Sequence, residues 1–250
     1  MHFLWPRLKA LYYQYRLREK EFPPPIRENL NVLNILDVNQ SILETEFVVF
    51  DTETTGLNVR KGDGILSISA VRMKKGRIDL ADVFHELINP NRGIPSQSVI
   101  AHEILPRMVI GKPTLQDILP DFIGYIGSSI LVAHHAGLDM AFLNSEMIRL
   151  YGFPIQNMVL DTALVDQMLV LKKTQISMRR KVQIDSSLTA LAERYRVSLE
   201  GHHSSMGDAL TTAQIFQKMI RGAQSCGIVS LKDLFKNIFY IGTHHNSFHH

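Results

Sequence analysis

Cysteine is nearly missing from this chain: Cys226 is the single one in 250 residues. That excludes an intrachain disulfide and fits a reducing compartment. Long apolar runs are missing too. No stretch approaches the roughly 18 uninterrupted apolar residues of a spanning helix. Met1-His2-Phe3-Leu4-Trp5-Pro6-Arg7 lacks an apolar core of signal-peptide length, so the expectation is a cytoplasmic protein without a membrane span. Nor is charge of one sign in large excess. Lys and Arg number 27 against 24 Asp and Glu, a formal net charge of +3. This excludes a polycationic or polyacidic chain and permits nucleic-acid binding without arguing for it. What is present is a 45% hydrophobic chain, enough for a core in one domain of ordinary size.

The chain is organised around Phe47-Val48-Val49-Phe50-Asp51-Thr52-Glu53-Thr54-Thr55-Gly56-Leu57. Four apolar residues in a row read as a central strand covered on both faces. Side chains alternate along a strand, so Asp51 and Glu53 point the same way. Two carboxylates that close repel each other unless something positive sits between them, and a divalent cation is the simplest such thing. A plain turn after a strand is the competing reading of Asp51 and Glu53 alone. Two further carboxylates in distinctive settings weigh against it. One is Asp139, in His134-His135-Ala136-Gly137-Leu138-Asp139 after the apolar stretch 130–133. The other is Asp208, in His202-His203-Ser204-Ser205-Met206-Gly207-Asp208 before a helical stretch. Asp139 also suits a helix start, where free amides favour an acid.

These three motifs, in this order, resemble those of the DEDDh 3'–5' exonucleases over about residues 47–220. The resemblance implies an α/β fold, a ribonuclease H-like mixed β-sheet with flanking helices. It implies Asp51, Glu53, Asp139 and Asp208 as carboxylates holding two Mg²⁺ or Mn²⁺ ions, and His203, rather than His202, as the general base. Asp51 would bridge the ions, Glu53 and Asp208 would serve the water-activating one, and Asp139 would position the set. Thr54 and Leu57 would meet the terminal nucleotide, through the 3'-hydroxyl and the base. The substrate implied is the 3' end of DNA, single-stranded or frayed, with a DNA polymerase subunit as a partner. His135 departs from the family's usual Asn, and Leu138 from its usual aromatic. Neither removes a group that hydrolysis requires.

The remaining stretches frame that unit. Residues 1–46 read as a basic, aromatic helical extension, 47–222 as the exonuclease domain and 223–250 as a tail with a short helix. In the extension, Leu4, Leu8, Leu11 and Tyr15 fall on one helical face, which is expected to pack back on the domain; docking to a partner or a membrane surface is the alternative. Strands are expected at 47–53, 65–71, 78–88, 130–133 and 158–162. Helices are expected at 98–105, 115–126, 139–151, 163–171, 188–195, 207–220 and 231–239, with Met140, Leu143, Met147 and Leu150 as the buried stripe of the third. Asp161 reads as a helix cap, not a ligand. Lys172, Lys173, Arg179, Arg180 and Lys181 precede any acid until Asp185. They suit either a phosphate grip, sequence-blind and salt-sensitive, or a solvated loop. His244, His245, His249 and His250 read as a terminal cluster without a site. An RNA 3'-end processing nuclease and a non-catalytic polymerase-associated scaffold remain as alternatives.

Overall fold

A computed structural model describes residues 4–174, 184–199, 201 and 204–245. Three helices come first: α1 (Leu4–Arg16), α2 (Pro24–Asn29) and α3 (Val32–Ile35). Strands β1 (Phe47–Thr54), β2 (Ile65–Lys74) and β3 (Arg77–Leu87) follow, then α4 (Ser96–His102), α5 (Pro106–Val109) and α6 (Leu115–Ile126). β4 (Ile130–Ala133) leads into α7 (Gly137–Tyr151), and β5 (Val159–Asp161) into α8 (Thr162–Thr174). The chain ends in α9 (Leu188–Tyr195), α10 (Ser205–Ser225) and α11 (Leu231–His245).

The strands form one mixed sheet in the order β3-β2-β1-β4-β5. β1 pairs antiparallel with β2 and parallel with β4, which pairs parallel with β5. The β2–β3 hairpin turns on Lys75 and Gly76, with φ of 50° and 66°. Positive φ at both central residues matches the twist of the strands they join.

β1 is central and apolar on both sides, and its alternation divides the core. Phe47 and Val49 enter a cluster with Met168, Leu169, Phe216, Met219 and Leu234 of α8, α10 and α11. Val48 and Phe50 enter another, with Leu119, Phe122, Leu143 and Met147 of α6 and α7. Each fully buried side chain of this size contributes about 1.5–3 kcal/mol, so β1 is firmly anchored from both faces of the sheet. Arg72 ties that sheet to α6. It donates to Asp82 Oδ2 (2.6 Å), Glu46 Oε1 (2.5 Å) and the Tyr125 carbonyl (2.5 Å), with its guanidinium 4.7 Å from the Tyr125 ring centroid.

Both flanks pack on this core. Ser41 and Ser230 form an antiparallel bridge, and Ile42 N donates to Val229 O at 2.9 Å. The extension lies at the amino ends of β4 and β5. There Asn29 Nδ2 donates to Asn157 Oδ1 (2.6 Å), and Asn157 Nδ2 donates to the carbonyls of Gly127 (2.9 Å) and Ser129 (2.8 Å).

The elements differ from expectation in instructive places. α1 does not use the Leu8, Leu11, Tyr15 face for packing; those side chains are exposed, and Ala10, Tyr13 and Leu17 face the domain instead. The short Ala10 lets the helix lie close to Met158, and Tyr13 meets the Phe153 ring. On α7 the fully buried apolar residues are Phe142, Leu143 and Met147, while Met140 and Leu150 are only half-buried. The helix expected at 98–105 stops at His102, because Glu103 takes a left-handed conformation (φ 59°) before Pro106. α10 begins at Ser205 and runs to Ser225, and α11 continues past 239 to His245. His249 and His250 lie outside the described residues.

Asn157 offers a direct check on how the extension is fixed. Asn157→Ala leaves the Gly127 and Ser129 carbonyls and the Asn29 amide without their partner in a buried setting. Urea unfolding is expected to show a loss of roughly 2–4 kcal/mol; a loss below 1 kcal/mol contradicts this account of the junction.

Candidate active site

The alternation that divides the core continues past it. On β1 the odd positions face α10 and the even ones face α6 and α7, which assigns Asp51 and Glu53 to the α10 side and Thr52 to the other. A register shift between Glu53 and Thr54 ends the regular ladder at this point, and bulges of this kind re-aim side chains beside sites. α10 arrives with Ser204 as its N-cap, the hydroxyl accepting from Gly207 N at 3.2 Å. Asp208 lies in its first turn. The outcome is a cluster in which carboxylate oxygens of Asp51, Glu53 and Asp208 all lie within 4.8 Å of one another.

Asp139 approaches from the opposite face. It lies in the first turn of α7 and is buried. Its Oδ1 accepts from Thr52 N at 3.1 Å and from Thr52 Oγ1 at 2.6 Å. The fourth carboxylate is thereby hung on the residue between the two β1 acids. The head of α10 is held as firmly. Ser205 Oγ lies 2.8 Å from Ser67 Oγ and 2.7 Å from Ser69 Oγ of β2, and Ser69 Oγ lies 2.7 Å from His85 Nδ1. Sequence reasoning passed over Thr52 and these serines. The signal was available in the strand period, which sends Thr52 toward α7 and puts Ser67 and Ser69 on one face of β2.

Concentrated negative charge is the dominant electrostatic fact. Burial holds the Asp51 carboxyl well above the ordinary carboxylate range, and the neighbouring charges of Asp139, Glu53 and Asp208 raise it further. Asp139 is pushed up to about 6, chiefly by burial; the Thr52 hydrogen bonds oppose the rise and Asp161 adds to it. Oxygen donors at this spacing, disfavoured as free anions, fit a hard divalent cation.

Around the cluster, Thr54 Oγ1 donates to Gly56 O at 2.8 Å, and Leu57 presents its side chain to solvent at 77% exposure. Gly56 is needed for close approach: a Cβ there would meet Asp63 Oδ2 at 2.4 Å. Asp63 closes the loop by accepting from Asn58 N (2.9 Å) and pairing with Arg92 (2.9 Å). Asp161 Oδ1 accepts from Ala163 N (2.9 Å) and from His135 N (3.1 Å). His135 has φ 53°, the left-handed region that Asn tolerates best and His more than most. His134 is pushed down to about 4 by burial and by His135, with Nδ1 2.9 Å from Thr162 Oγ1. It is therefore neutral at physiological pH. His202, His203, Arg179, Arg180 and Lys181 lie outside the described residues.

The family model described as Exonuclease matches residues 48–216, a span that contains all four carboxylates. The chain belongs to the exonuclease family. Relatives of this exonuclease domain include a DNA polymerase III PolC-type of Caldanaerobacter subterraneus subsp. tengcongensis, 36% identical over 196 residues, covering 78% of this chain and 13% of the relative. A DNA polymerase III subunit epsilon-like protein of Rhodobacter capsulatus is 34% identical over 186 residues, covering 74% of this chain and 25% of the relative. The chain thus spans a quarter or less of the length of these relatives. Among solved structures, Exonuclease X in complex with 5' overhanging duplex DNA aligns with a TM-score of 0.54 and 24% identity, covering 76% of this chain and 99% of that one. The nuclease domain of 3'hExo, a DEDDh family member, bound to rAMP, aligns with a TM-score of 0.58 and 15% identity, covering 71% and 92%. At these identities the likeness is one of fold, the ribonuclease H-like architecture that the resemblance implied.

Two outcomes follow from the crowded carboxylates. Asp51→Asn removes one repelling charge, so the chelated variant is expected to melt about 2–4 °C higher than chelated wild type, the shift that 1 kcal/mol produces in a chain of this size. The same variant is expected to lose the stabilisation that Mg²⁺ or Mn²⁺ gives the wild type. A lower melting point in chelator, or an undiminished response to metal, contradicts the electrostatic reading. Asp139 binds its proton more tightly folded than unfolded, about 6 against 3.8. Between those values the folded chain holds more protons, so stability falls as pH rises. In chelator, the stability difference between wild type and Asp139→Asn is expected to shift against wild type across that window; a flat difference contradicts the assignment.

Proposed function

We propose that this exonuclease domain removes nucleotides from the 3' end of DNA, releasing nucleoside 5'-monophosphates. The observation that carries the reading is the convergence of Asp51, Glu53 and Asp208 within 4.8 Å, with Asp139 hydrogen-bonded to Thr52 beside them. Residues 47–222 are taken as the catalytic unit. Asp51, Glu53, Asp139 and Asp208 are the residues that would hold two Mg²⁺ or Mn²⁺ ions. Such ions, when bound, supply Lewis acidity toward the phosphoryl oxygens and lower the pKa of water.

The chain's own groups do the rest. His203 takes the proton from the attacking water, a task suited to an imidazole that titrates near neutrality. It comes directly before Ser204, the cap of the helix that carries Asp208. Glu53 and the backbone around Thr54 receive the terminal 3'-hydroxyl, which selects an unblocked end. Leu57, already exposed, presses on the terminal base without reading its identity. Arg179, Arg180 and Lys181 neutralise phosphates further along the strand, a contact weakened by salt. DNA rather than RNA is favoured by the names of the relatives, which are DNA polymerase III proteins, and a replicative polymerase is the partner those names suggest.

The test is a gel ladder of a 5'-labelled single-stranded DNA with Mg²⁺ or Mn²⁺, beside an RNA of matched sequence. Stepwise shortening from the 3' end of the DNA is expected, abolished by Asp51→Ala. His203→Ala is expected to lower kcat by roughly 10²–10⁴, the contribution of a general base. Faster RNA shortening moves the substrate to RNA 3' ends. Intact substrates with both metals replace the nuclease by a binding subunit.

A further inference from the structure

α1 carries two apolar faces and the domain covers only one of them. Ala10 and Leu17 are buried and Tyr13 lies against Phe153, with ring centroids 6.2 Å apart. Leu8, Leu11, Tyr12 and Tyr15, at the i, i+3, i+4, i+7 spacing of a single stripe, point outward with exposures of 49%, 52%, 56% and 72%. Cations edge the stripe. Arg16 Nη1 donates to Tyr12 OH at 3.4 Å, and the Arg18 guanidinium stands 5.1 Å from the Tyr15 ring centroid. Arg7 and Lys9 are exposed in the first turns, Arg7 also donating to the Leu36 carbonyl at 2.9 Å. Residues 1–18 contain no Asp or Glu. The first acid is Glu19, paired with Arg18 at 3.3 Å.

We propose that this face docks the protein peripherally on an anionic lipid surface. Charge complementarity selects the occupant. A second copy would set the same four cations against each other with only Glu19 and Glu21 nearby to offset them. The stripe also belongs to the extension packed at the amino ends of β4 and β5, whereas Asp51 and Glu53 lie at the carboxyl end of β1, which runs parallel to both. A bilayer asks for no shape complementarity. Leucines enter the acyl boundary, tyrosine rings rest at headgroup depth, and arginines meet lipid phosphates. Docked in this way, the molecule holds its acidic cluster on the end away from the negatively charged surface.

The experiment is sedimentation of the full chain with vesicles of phosphatidylcholine alone and of phosphatidylcholine mixed with phosphatidylglycerol. Sedimentation with the mixed vesicles only, reversed by salt, is expected. Two double variants, Leu11→Ser with Tyr15→Ser and Arg16→Glu with Arg18→Glu, are each expected to weaken partitioning about tenfold or more. Their melting temperatures and activity on a soluble oligonucleotide are expected to match wild type. Equal binding to both vesicle types, or undiminished binding by both variants, overturns the proposal. So does light scattering that finds a dimer dissolved by the Ser variant, which gives the face to a second copy. A gel shift with DNA that the Glu variant abolishes also overturns it, giving the face to nucleic acid.

Discussion

Mutual repulsion among carboxylates at one sheet edge is the constraint to which the rest of this structure answers. Left to themselves, Asp51, Glu53, Asp139 and Asp208 would separate. Burial and each other's charge already push Asp51 and Asp139 toward the protonated form. They stay together because the elements carrying them cannot move apart cheaply. β1 is anchored by four buried apolar residues, two in each core. The head of α10 is bonded through Ser205 to two serines of β2, and Asp139 is bonded through Thr52 to β1 itself. The stored repulsion makes the site receptive to divalent cations, since binding them removes the strain that the fold imposes.

The same sheet geometry explains how distant segments meet. β1, β4 and β5 run parallel, so their carboxyl ends open at one edge. The chain leaves β4 through His134 and His135 into α7, and leaves β5 at Asp161 into α8. Asp161 Oδ1 joins these two exits by accepting from both His135 N and Ala163 N. The opposite edge is closed by the extension, where Asn157 satisfies carbonyls ahead of β4 and is itself held by Asn29. One end is thus kept open and acidic, and the other is sealed by a buried amide network.

Much of this was readable in residue order because it depends on short-range periodicity. The apolar run before Asp51, the Lys75-Gly76 turn and the helix at 115–126 each carry a local signal. The strand period alone predicts that Asp51 and Glu53 share a face. What could not be read depends on which partner a side chain meets. α1 has two plausible apolar stripes, and only the proximity of Phe153 and Met158 decides that the one with Ala10 faces inward. Gly56 looks like a residue for a tight turn, yet its requirement comes from the Asp63 carboxylate seven residues on. His135 stands where the resemblance expects an Asn, and the left-handed backbone there is one that His, like Asn, adopts more readily than most residues. Asp139 is at once a helix-start acid and a charge close enough to act on Asp51, and periodicity cannot separate those roles.

The central claim is that the four carboxylates form one receptacle for divalent cations. Anomalous diffraction from a crystal soaked in Mn²⁺ addresses it most directly. The account predicts two peaks at the end of β1, enclosed by oxygens of Asp51, Glu53, Asp139 and Asp208. A crystal that takes up no Mn²⁺ there, or binds it only away from these four residues, would contradict it.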